Sequence, residues 1–341
     1  MASVDVTVRG AGIFGLSVAW ACAQRGARVQ VIDISGVGAG ASGGVVGALS
    51  PHAPEAWNGL KAFQLDSLLM ANGWWATVQA AGGADPGYAR SGRLQPLADA
   101  AAVAAAQGRV AGAQTHWSQA AEWQVVQATG AEWEPASASG WLVRDTLSAR
   151  ISPRAALAAL VAALRVRGAQ IITGDAADAG AVVHATGAAG LQELSQALGR
   201  KVGGAVKGQA AVLAYEAGDA PQIFAPGLHI VPHADGTVAI GSTSETSWTT
   251  DGVDTQLEAL IVRARALMPC LADAPVIQRW AGLRPRAVTR RLVLDHWPGR
   301  PGVFVANGGF KVGFGLAPRA SEVMADLVLQ GLDRVPDEFR L

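Results

Sequence analysis

The sequence predicts an α/β protein with two domains, one built on a parallel sheet and one on an antiparallel sheet. A β-branched run at 4–8, a glycine-rich turn at 10–15 and an apolar helical pattern at 16–23 follow one another at the start of the chain. This order is typical of a βαβ unit, whose strands are parallel. Farther along, two strands predicted within 228–241 are separated by Asp235-Gly236, which is a strong hairpin signal. The hairpin indicates that the second domain is antiparallel.

The composition excludes several classes of protein. Half of the 341 residues are hydrophobic, which allows a large core, and the formal net charge is zero. A neutral chain offers no electrostatic attraction to nucleic acid or to an anionic membrane. The six histidines and two cysteines form no metal-ligand pattern. We therefore expect no metal site and no nucleic-acid partner.

One apolar stretch, at 13–23, lies near the start of the chain. It is too short to cross a bilayer, and a β-type run precedes it where a signal peptide would carry a basic segment. No other segment reaches spanning length without a charge or a proline. We expect a cytoplasmic protein without a membrane span, and the sequence leaves a homo-oligomer open.

The turn after the first strand contains Gly10, Gly12 and Gly15. In a GxGxxG turn the first glycine allows a tight bend, the second lets the backbone approach a pyrophosphate, and the third lets helix and strand pack closely. The helix that follows offers free N–H groups and a partial positive charge to the phosphates. The second strand, at 28–33, ends in Asp33, whose carboxylate can bind the hydroxyls of an adenosine ribose. Together these features predict a Rossmann-type dinucleotide-binding unit.

The next segment, 36–51, is rich in glycine and serine. Such a run forms neither a helix nor a strand readily, so one interpretation is a flexible loop with no function of its own. The functional interpretation is backbone that lies close against a large flat ligand. In an NAD enzyme the second strand would lead promptly into another βα unit, so the long glycine-rich segment favours FAD.

The remaining elements are predicted from periodicity and end signals. Ser152-Pro153 is a helix start, with an N-cap followed by proline, and Arg167-Gly168 is a helix end. Helices are predicted at 61–81, 98–107, 153–166, 257–268 and 317–330, and strands at 169–173, 181–187, 209–215, 228–232, 237–241 and 302–306. We predict a discontinuous first domain over 1–85, 142–203 and 276–341, and a second domain over 86–141 and 204–275.

Six segments match one family in order along nearly the whole chain, at 10–17, 40–43, 184–188, 241–243, 280–285 and 307–318. The chain resembles the D-amino acid oxidase-like FAD-dependent oxidoreductases, and within them the glycine oxidase and sarcosine oxidase branch. The resemblance implies an FAD-binding domain and a substrate-binding domain whose antiparallel sheet covers the pocket. It also implies non-covalent FAD, because sarcosine-type relatives attach the flavin to a cysteine near the C-terminal motif and no cysteine follows Cys270.

The resemblance also implies which residues hold the cofactor. These are Gly10, Gly12, Ile13, Phe14, Gly15, Asp33, Ala41, Ser42, Gly43, Gly47, Ala48, Leu49, Ala185, Thr186, Gly187, Gly282, Arg284, Gly309, Phe310, Lys311, Val312 and Gly313. The last helix points its N-terminus at the flavin pyrimidine ring, where its dipole would stabilise negative charge on the reduced flavin. In relatives the backbone after the strand at 169–173 contacts adenine, but here only the short segment 174–180 follows it.

Three residues are candidates for the substrate end of the site. Arg284 lies among apolar residues, where a guanidinium can bind a carboxylate through two hydrogen bonds. The matching arginine of the family holds the substrate carboxylate, and a structural ion pair is the alternative. His229 falls where glycine-oxidising relatives carry a tyrosine, so it either hydrogen-bonds the substrate or only fills the sheet. Lys311 either adds positive charge near the flavin or only caps its turn.

The resemblance implies oxidation of a small amine or amino acid of the glycine, D-amino acid or N-methyl amino acid type. The α-carbon delivers hydride to flavin N5, and the imine hydrolyses to a keto acid with release of ammonia or an amine. Molecular oxygen then takes the electrons and becomes hydrogen peroxide. Three alternatives stay open: a dehydrogenase that uses a quinone or protein acceptor, a tRNA-modifying FAD oxidoreductase, and a non-catalytic flavoprotein.

Overall fold

Two large sheets and one two-stranded sheet organise the chain, which the computed structural model describes over residues 4–341. In chain order the strands are β1 (Val6–Arg9), β2 (Val29–Asp33), β3 (Ala48–Leu49), β4 (Arg93–Pro96), β5 (Trp123–Gln127), β6 (Trp141–Asp145), β7 (Ala149–Arg150), β8 (Gln170–Thr173), β9 (Ala181–His184), β10 (Gly203–Ala214), β11 (Gln222–Ala225), β12 (Leu228–Pro232), β13 (Thr237–Gly241), β14 (Val276–Ala287), β15 (Val293–His296) and β16 (Val303–Asn307). The helices are α1 (Ile13–Gln24), α2 (Gly59–Gly82), α3 (Ala100–Gly108), α4 (Val110–His116), α5 (Pro153–Val166), α6 (Gly187–Ala197), α7 (Thr255–Leu267) and α8 (Gly313–Gln330). Short 3₁₀ helices cover Ala41–Gly43, Ser118–Ala120, Pro269–Leu271 and Asp337–Phe339.

The parallel sheet has the strand order β15-β16-β9-β1-β2-β8, and only the β15–β16 pair is antiparallel within the described residues. Helices α1, α2, α5 and α8 pack against one another beside it. Helix α1 is buried without interruption from Ile13 to Ala23, as expected for a helix that is apolar on every side. The predicted βαβ unit, β1-α1-β2, is confirmed.

The second sheet has the order β14-β10-β13-β12-β11-β4-β6-β5, and it is antiparallel except between β11 and β4. Side chains alternate along each strand, so the two faces of the sheet have different neighbours. One face carries Ile223, Ile230 and Ile240, which are buried together with Leu257 and Ile261 of α7. Since α7 covers that face, the other face is left to line the cavity described below.

Strand β14 connects the two parts of the molecule. It pairs with β10 from Gly203↔Ala287 to Leu213↔Val276 and is an edge of the antiparallel sheet. The predicted first domain includes 276–341. Strand β14 therefore belongs to that domain in the prediction, while it pairs along its length with the second sheet. Helix α6 packs on β10, β14 and β16 and therefore touches both sheets. We retain the predicted boundaries as a proposal.

Three helices differ from the sequence-based expectation, and one of them, α4, follows the predicted helix at 98–107 without having been predicted. Helix α8 begins at Gly313 rather than at Ala317, because the Val312 carbonyl already accepts a hydrogen bond from the amide of Leu316 at 3.0 Å. Helix α6 was not predicted, since its glycines resemble a turn. Gly190 serves packing instead: a Cβ there would lie 2.2 Å from the Oγ1 atom of Thr186.

A buried ion pair joins β4 to β6, and we expect its loss to be costly. Arg93 Nε donates to Asp145 Oδ2 at 2.7 Å, and the two side chains are 6% and 0% exposed. Replacing Asp145 with Asn should lower the free energy of unfolding by about 3 kcal/mol, because it leaves the Arg93 charge buried without its partner. Urea unfolding measures the change. The control is Glu258→Gln, whose pair with Arg279 is 57% and 43% exposed on its two sides, and it should cost less than about 1 kcal/mol. Equal losses in the two variants would contradict the assignment.

Candidate active site

A cavity of about 1100 Å³ lies between the ends of the parallel strands and one face of the antiparallel sheet. Its lining includes residues at the carboxyl ends of β1, β2, β9 and β16 and, opposite them, residues of β10, β11, β12 and β14. The carboxyl ends of parallel strands are where open α/β sheets bind ligands. Most small-molecule sites measure about 300–1,000 Å³. This cavity therefore has room for an extended ligand and a small second one.

The glycine turn after β1 is packed too closely for any side chain. Gly10 has φ +107°, and a Cβ there would lie 2.4 Å from the carbonyl oxygen of Ala185. A Cβ on Gly15 would lie 1.8 Å from the carbonyl oxygen of Gly10. The first contact fixes the turn beside the segment after β9, and the second lets α1 pack against its own turn. Both glycines are therefore required by the backbone.

Helices α1, α6 and α8 begin at the cavity without a hydrogen bond from an N-cap side chain. Helix α1 starts after Gly12, α6 after Thr186 and α8 after Val312, and none of these has an acidic residue in its first turn. Gly12, Ile13, Val312 and Gly313 line the cavity. The Ile13 amide donates to the Oγ atom of Ser42 at 3.0 Å. The N-terminal end of a helix carries a partial positive charge and attracts negative charge, so the cavity offers these helix starts to anionic parts of a ligand.

Asp33 lines the cavity and also holds the glycine turn in place. Its Oδ2 atom accepts a hydrogen bond from the Ala11 amide at 2.7 Å, and its Oδ1 atom accepts from the amides of Ser35 and Gly36 at 2.9 and 3.1 Å. The sequence predicted that Asp33 binds a ribose, but it did not predict that Asp33 also binds these backbone amides. The carboxylate thus fixes both segments that flank the predicted ribose site.

The glycine-rich segment 36–51 is ordered by close backbone contacts. A Cβ on Gly47 would lie 1.8 Å from the carbonyl oxygen of Ile151, and one on Gly43 would lie 2.1 Å from that of Gly38. Gly47 and Ala48 line the cavity, together with the Ala41-Ser42 pair of the 3₁₀ helix. The segment therefore forms one side of the cavity, where its small residues leave space.

Arg284 is a buried cation without a carboxylate partner among the described residues 4–341. It is 8% exposed and lines the cavity, and its Nη1 atom donates to the carbonyl of Thr243 at 3.1 Å. The side chain lies across Gly208, where a Cβ would come within 2.0 Å of it. Burial lowers the pKa of Arg284 to about 10, opposed by the negative charge of Glu245. The guanidinium therefore stays charged near neutral pH, and the structure does not pair it as a structural ion pair would.

Lys311 and His229 also line the cavity. Burial, and then the charge of Arg284, lower the pKa of Lys311. Burial lowers the pKa of His229 to about 3, and three nearby cations act in the same direction. The Nδ1 atom of His229 has no hydrogen-bond partner in the described structure. His229 is therefore a neutral imidazole that can hydrogen-bond a ligand but cannot supply positive charge.

Several lining residues were not predicted as site residues. Arg93, Phe224 and Trp280 lie on three different strands of the antiparallel sheet. The Arg93 guanidinium carbon is 5.6 Å from the centre of the Phe224 ring, and the Phe224 and His229 rings are 4.8 Å apart. Strand alternation gives the face on which each residue lies, but only the pairing order of the strands brings them together.

Most of the predicted cofactor residues meet in this one cavity. The lining includes Gly10, Gly12, Ile13, Phe14, Asp33, Ala41, Ser42, Gly47, Ala48, Ala185, Thr186, Gly187, Arg284, Gly309, Phe310, Lys311, Val312 and Gly313. Gly15, Gly43, Leu49 and Gly282 lie outside the lining. The segment 174–180 also lies outside it, and Arg9 binds that segment through Asp178 at 2.7 Å and Asp175 at 3.1 Å. The contact roles of all these residues stay predictions.

Other ligand classes gain no support from the described part of the chain. No group of three or more His, Cys, Asp or Glu side chains within residues 4–341 is placed to hold a metal ion. None of the helices in the same range is both long enough and apolar enough to cross a membrane.

Comparisons with known proteins match this chain to one family along most of its length. A family model described as FAD dependent oxidoreductase matches residues 5–327. A glycine oxidase of Geobacillus kaustophilus is 24% identical, over 95% of this chain and 92% of the relative. The crystal structure of glycine oxidase from that organism gives a TM-score of 0.86 at 23% identity, over 99% of this chain and 98% of the other. At this identity the structural likeness shows the fold.

Some curated relatives align over less of their length. A glycine oxidase of Pseudomonas aeruginosa is 34% identical over 125 residues, which is 36% of this chain and 34% of the relative. The bifunctional protein ThiO/ThiG of Synechocystis is 26% identical over 95% of this chain and 51% of its own length. The chain thus spans between about a third and a half of these two relatives.

The residues of the cavity fit FAD. The crowded turn at Gly10 leaves its backbone without side chains beside the cavity, and the positive ends of α1, α6 and α8 suit the anionic parts of such a cofactor. The Oγ1 atom of Thr186 is buried on the lining without a hydrogen-bond partner in the described structure. A buried hydroxyl without a partner is costly, and a polar ligand atom would satisfy it. FAD supplies such atoms along its length.

Proposed function

Because the chain belongs to the FAD-dependent oxidoreductase family, with FAD as its cofactor, we propose that it oxidises a small amino acid or N-methyl amino acid. The observation that carries this proposal is the buried Arg284 guanidinium, which faces the cavity without a carboxylate partner in the described residues. A carboxylate is the ligand that a guanidinium binds best through two hydrogen bonds. The relatives named glycine oxidase support the same substrate class.

The chain would hold FAD by the elements already described. The start of α1 and the turn at Gly10 would face the pyrophosphate, Asp33 would bind the ribose, and the start of α8 would face the pyrimidine ring. Bound FAD supplies the acceptor for the hydride of the substrate's α-carbon. Cys22 is buried inside α1 and Cys270 lies against the core under α7, so neither lines the cavity. This placement supports non-covalent binding.

The charges at the substrate end orient the substrate and prepare its amine. Arg284 and Lys311 bind the carboxylate, which fixes the direction of the α-carbon. The same two positive charges disfavour a protonated amine beside them, so the substrate gives up a proton and keeps a lone pair on nitrogen. His229 stays neutral and can accept a hydrogen bond from that nitrogen. No side chain of the described cavity is needed as a strong base.

The remainder of the reaction is proposed on chemical grounds. The oxidised substrate is an imine, which hydrolyses to a keto acid and ammonia or an amine. We take molecular oxygen as the final acceptor, which gives hydrogen peroxide. A quinone or a protein would be the acceptor if the enzyme were a dehydrogenase, and the measurement below separates the two.

The proposal is tested by an anaerobic screen. Purified FAD-loaded protein is mixed with amino acids, N-methyl amino acids and simple amines, and the visible flavin absorbance is followed. We expect bleaching by at least one carboxylate-bearing amine and none by amines without a carboxylate. Admitting air should restore the absorbance and release peroxide. Flavin that stays oxidised with every compound would refute the proposal, and bleaching without peroxide on aeration would refute the choice of oxygen.

Lys311 should set an alkaline limit to carboxylate binding. Its pKa is lowered by burial and by Arg284, so its charge is present below that lowered pKa and is lost as the pH rises through it. The dissociation constant of acetate, read from flavin absorbance between about pH 6 and pH 9, where Arg284 with its pKa of about 10 keeps its charge, should rise by up to about tenfold toward the alkaline end. Lys311→Arg keeps its charge and should bind acetate to higher pH. The same alkaline limb in both proteins would show that Lys311 is not its cause.

A further inference from the structure

A buried polar network lies behind Arg284, and the proposed reaction assigns it no task. Lys207 is fully buried, and its Nζ atom lies 2.7 Å from Asp254 Oδ2 and 3.2 Å from Glu245 Oε2. The Nε2 atom of Gln209 donates to Glu245 Oε1 at 2.9 Å and to Asp254 Oδ1 at 2.8 Å. Three buried or half-buried charges are thus fixed in one arrangement. One cation faces two anions, so the network carries a surplus negative charge near the positive Arg284.

Thr243 joins this network to Arg284. Its Oγ1 atom donates to Glu245 Oε1 at 2.5 Å and accepts from the amide of Gln209 at 2.8 Å. Its carbonyl accepts the hydrogen bond from Arg284 Nη1 at 3.1 Å. That is the one hydrogen bond that the Arg284 side chain makes within the described residues. A fixed hydroxyl restrains the backbone of its own residue, so the network restrains the carbonyl that orients the guanidinium.

The Arg284 side chain lies against the backbone of the neighbouring strand β10. The side chain lies across Gly208, which has no side chain to pack against it. A long guanidinium stem otherwise has many rotamers, and binding would have to remove that freedom. The hydrogen bond to the Thr243 carbonyl restricts the Arg284 rotamers before any ligand binds. The segment 241–243 matched the family in the sequence, and Ser242 of that segment lies on the cavity lining.

We propose that Thr243 is a positioning residue that holds the Arg284 guanidinium ready for a substrate carboxylate, with Glu245 and Lys207 fixing its hydroxyl. The inference rests on the proposed function, because positioning matters only if Arg284 binds the carboxylate. Misplacement of a binding group by about 1 Å can cost as much as about a hundredfold in rate. Thr243 does not line the cavity, so its effect on the substrate passes through Arg284.

The test compares Thr243→Val with Thr243→Ser in FAD-loaded protein. Valine has the shape of threonine but no hydroxyl, and serine keeps the hydroxyl. For Thr243→Val we expect KM for the best amino acid, and the dissociation constant of acetate, to rise about tenfold, with kcat changed less than about threefold. Thr243→Ser should stay within about twofold of the wild type in all three quantities. Thr115→Val, which removes an exposed helix hydroxyl, is the matched control and should change none of them.

The outcomes separate a positioning role from a purely structural one. If Thr243→Val unfolds, Thr243→Ala makes the same deletion without the valine methyl groups. Acetate bound by the hydroxyl-free variant as tightly as by the wild type overturns the proposal. An equal loss in Thr243→Ser overturns it too, because the hydroxyl would then be irrelevant. Failure of the proposed function is recognised separately: acetate binding would then be unchanged in Arg284→Ala, and the positioning role would fall with it.

Discussion

Replacing Arg284 with Ala is expected to lower kcat/KM for an amino acid substrate by about 10²–10³-fold. The guanidinium is buried, remains charged near neutral pH and has no carboxylate partner within residues 4–341. A carboxylate bound there would form charge-assisted hydrogen bonds away from bulk water, where they are strongest. Most of the loss should lie in KM, because the carboxylate contact is present before and during the chemical step. Steady-state kinetics with the best substrate of the anaerobic screen measures it.

The same strand offers a matched control. Arg279 also lies on β14, but it is 43% exposed and paired with Glu258 at 3.0 Å. Arg279→Ala should leave kcat/KM within about twofold of the wild type, since exposed pairs contribute little. Both variants should be checked for flavin content and thermal unfolding. A similar loss in Arg279→Ala, or a loss in Arg284→Ala that is equally large for an amine without a carboxylate, would contradict the assigned role.

Replacing Gly10 with Ala is expected to abolish FAD binding. The added Cβ would lie 2.4 Å from the carbonyl oxygen of Ala185 and 2.7 Å from its carbon, and these are backbone atoms that cannot rotate away. The φ of +107° adds strain for any residue with a side chain. We expect the free energy of unfolding to fall by about 3 kcal/mol or more, and flavin content to fall at least about tenfold. Visible flavin absorbance per protein and FAD titration of the stripped protein measure the binding.

A second glycine separates crowding from conformational strain. Gly26 also has a positive φ, of +87°, but no heavy atom lies within 4 Å of a Cβ placed there. Gly26→Ala should therefore cost only the strain, about 1–2 kcal/mol, and should keep its flavin. If Gly10→Ala bound FAD as tightly as Gly26→Ala does, the close approach of the turn to the segment after β9 would not be what the site requires.

The cofactor side of the site was predictable because its signals are local. Gly10, Gly15 and Asp33 follow one another at fixed distances within one βαβ unit, and the structure places all three as that unit requires. The family resemblance, the α/β fold with a second antiparallel sheet and the FAD cofactor are confirmed. The start of α8 was predicted too late by a few residues, because its first turn has glycines and no capping side chain.

The substrate side depended on contacts that are distant in the sequence. The motif around Arg284 was recognisable, but the sequence could not show whether its charge was paired, and Arg93 was not singled out at all. The structure pairs Arg93 with Asp145 at 2.7 Å and leaves Arg284 with the Thr243 carbonyl. The partners are separated by 52 and 41 positions along the chain, so only the order and register of the sheet strands bring them together.

The sequence by itself determined the cofactor unit, because a tight glycine turn, a helix start and a terminal acid are set by backbone sterics and short-range spacing. Only the tertiary structure decided which cations face the cavity without a partner and what holds them there. Charge pairing depends on which strands are neighbours and on which face each side chain lies. Those relations arise when the whole antiparallel sheet has formed, and no local pattern in the sequence contains them.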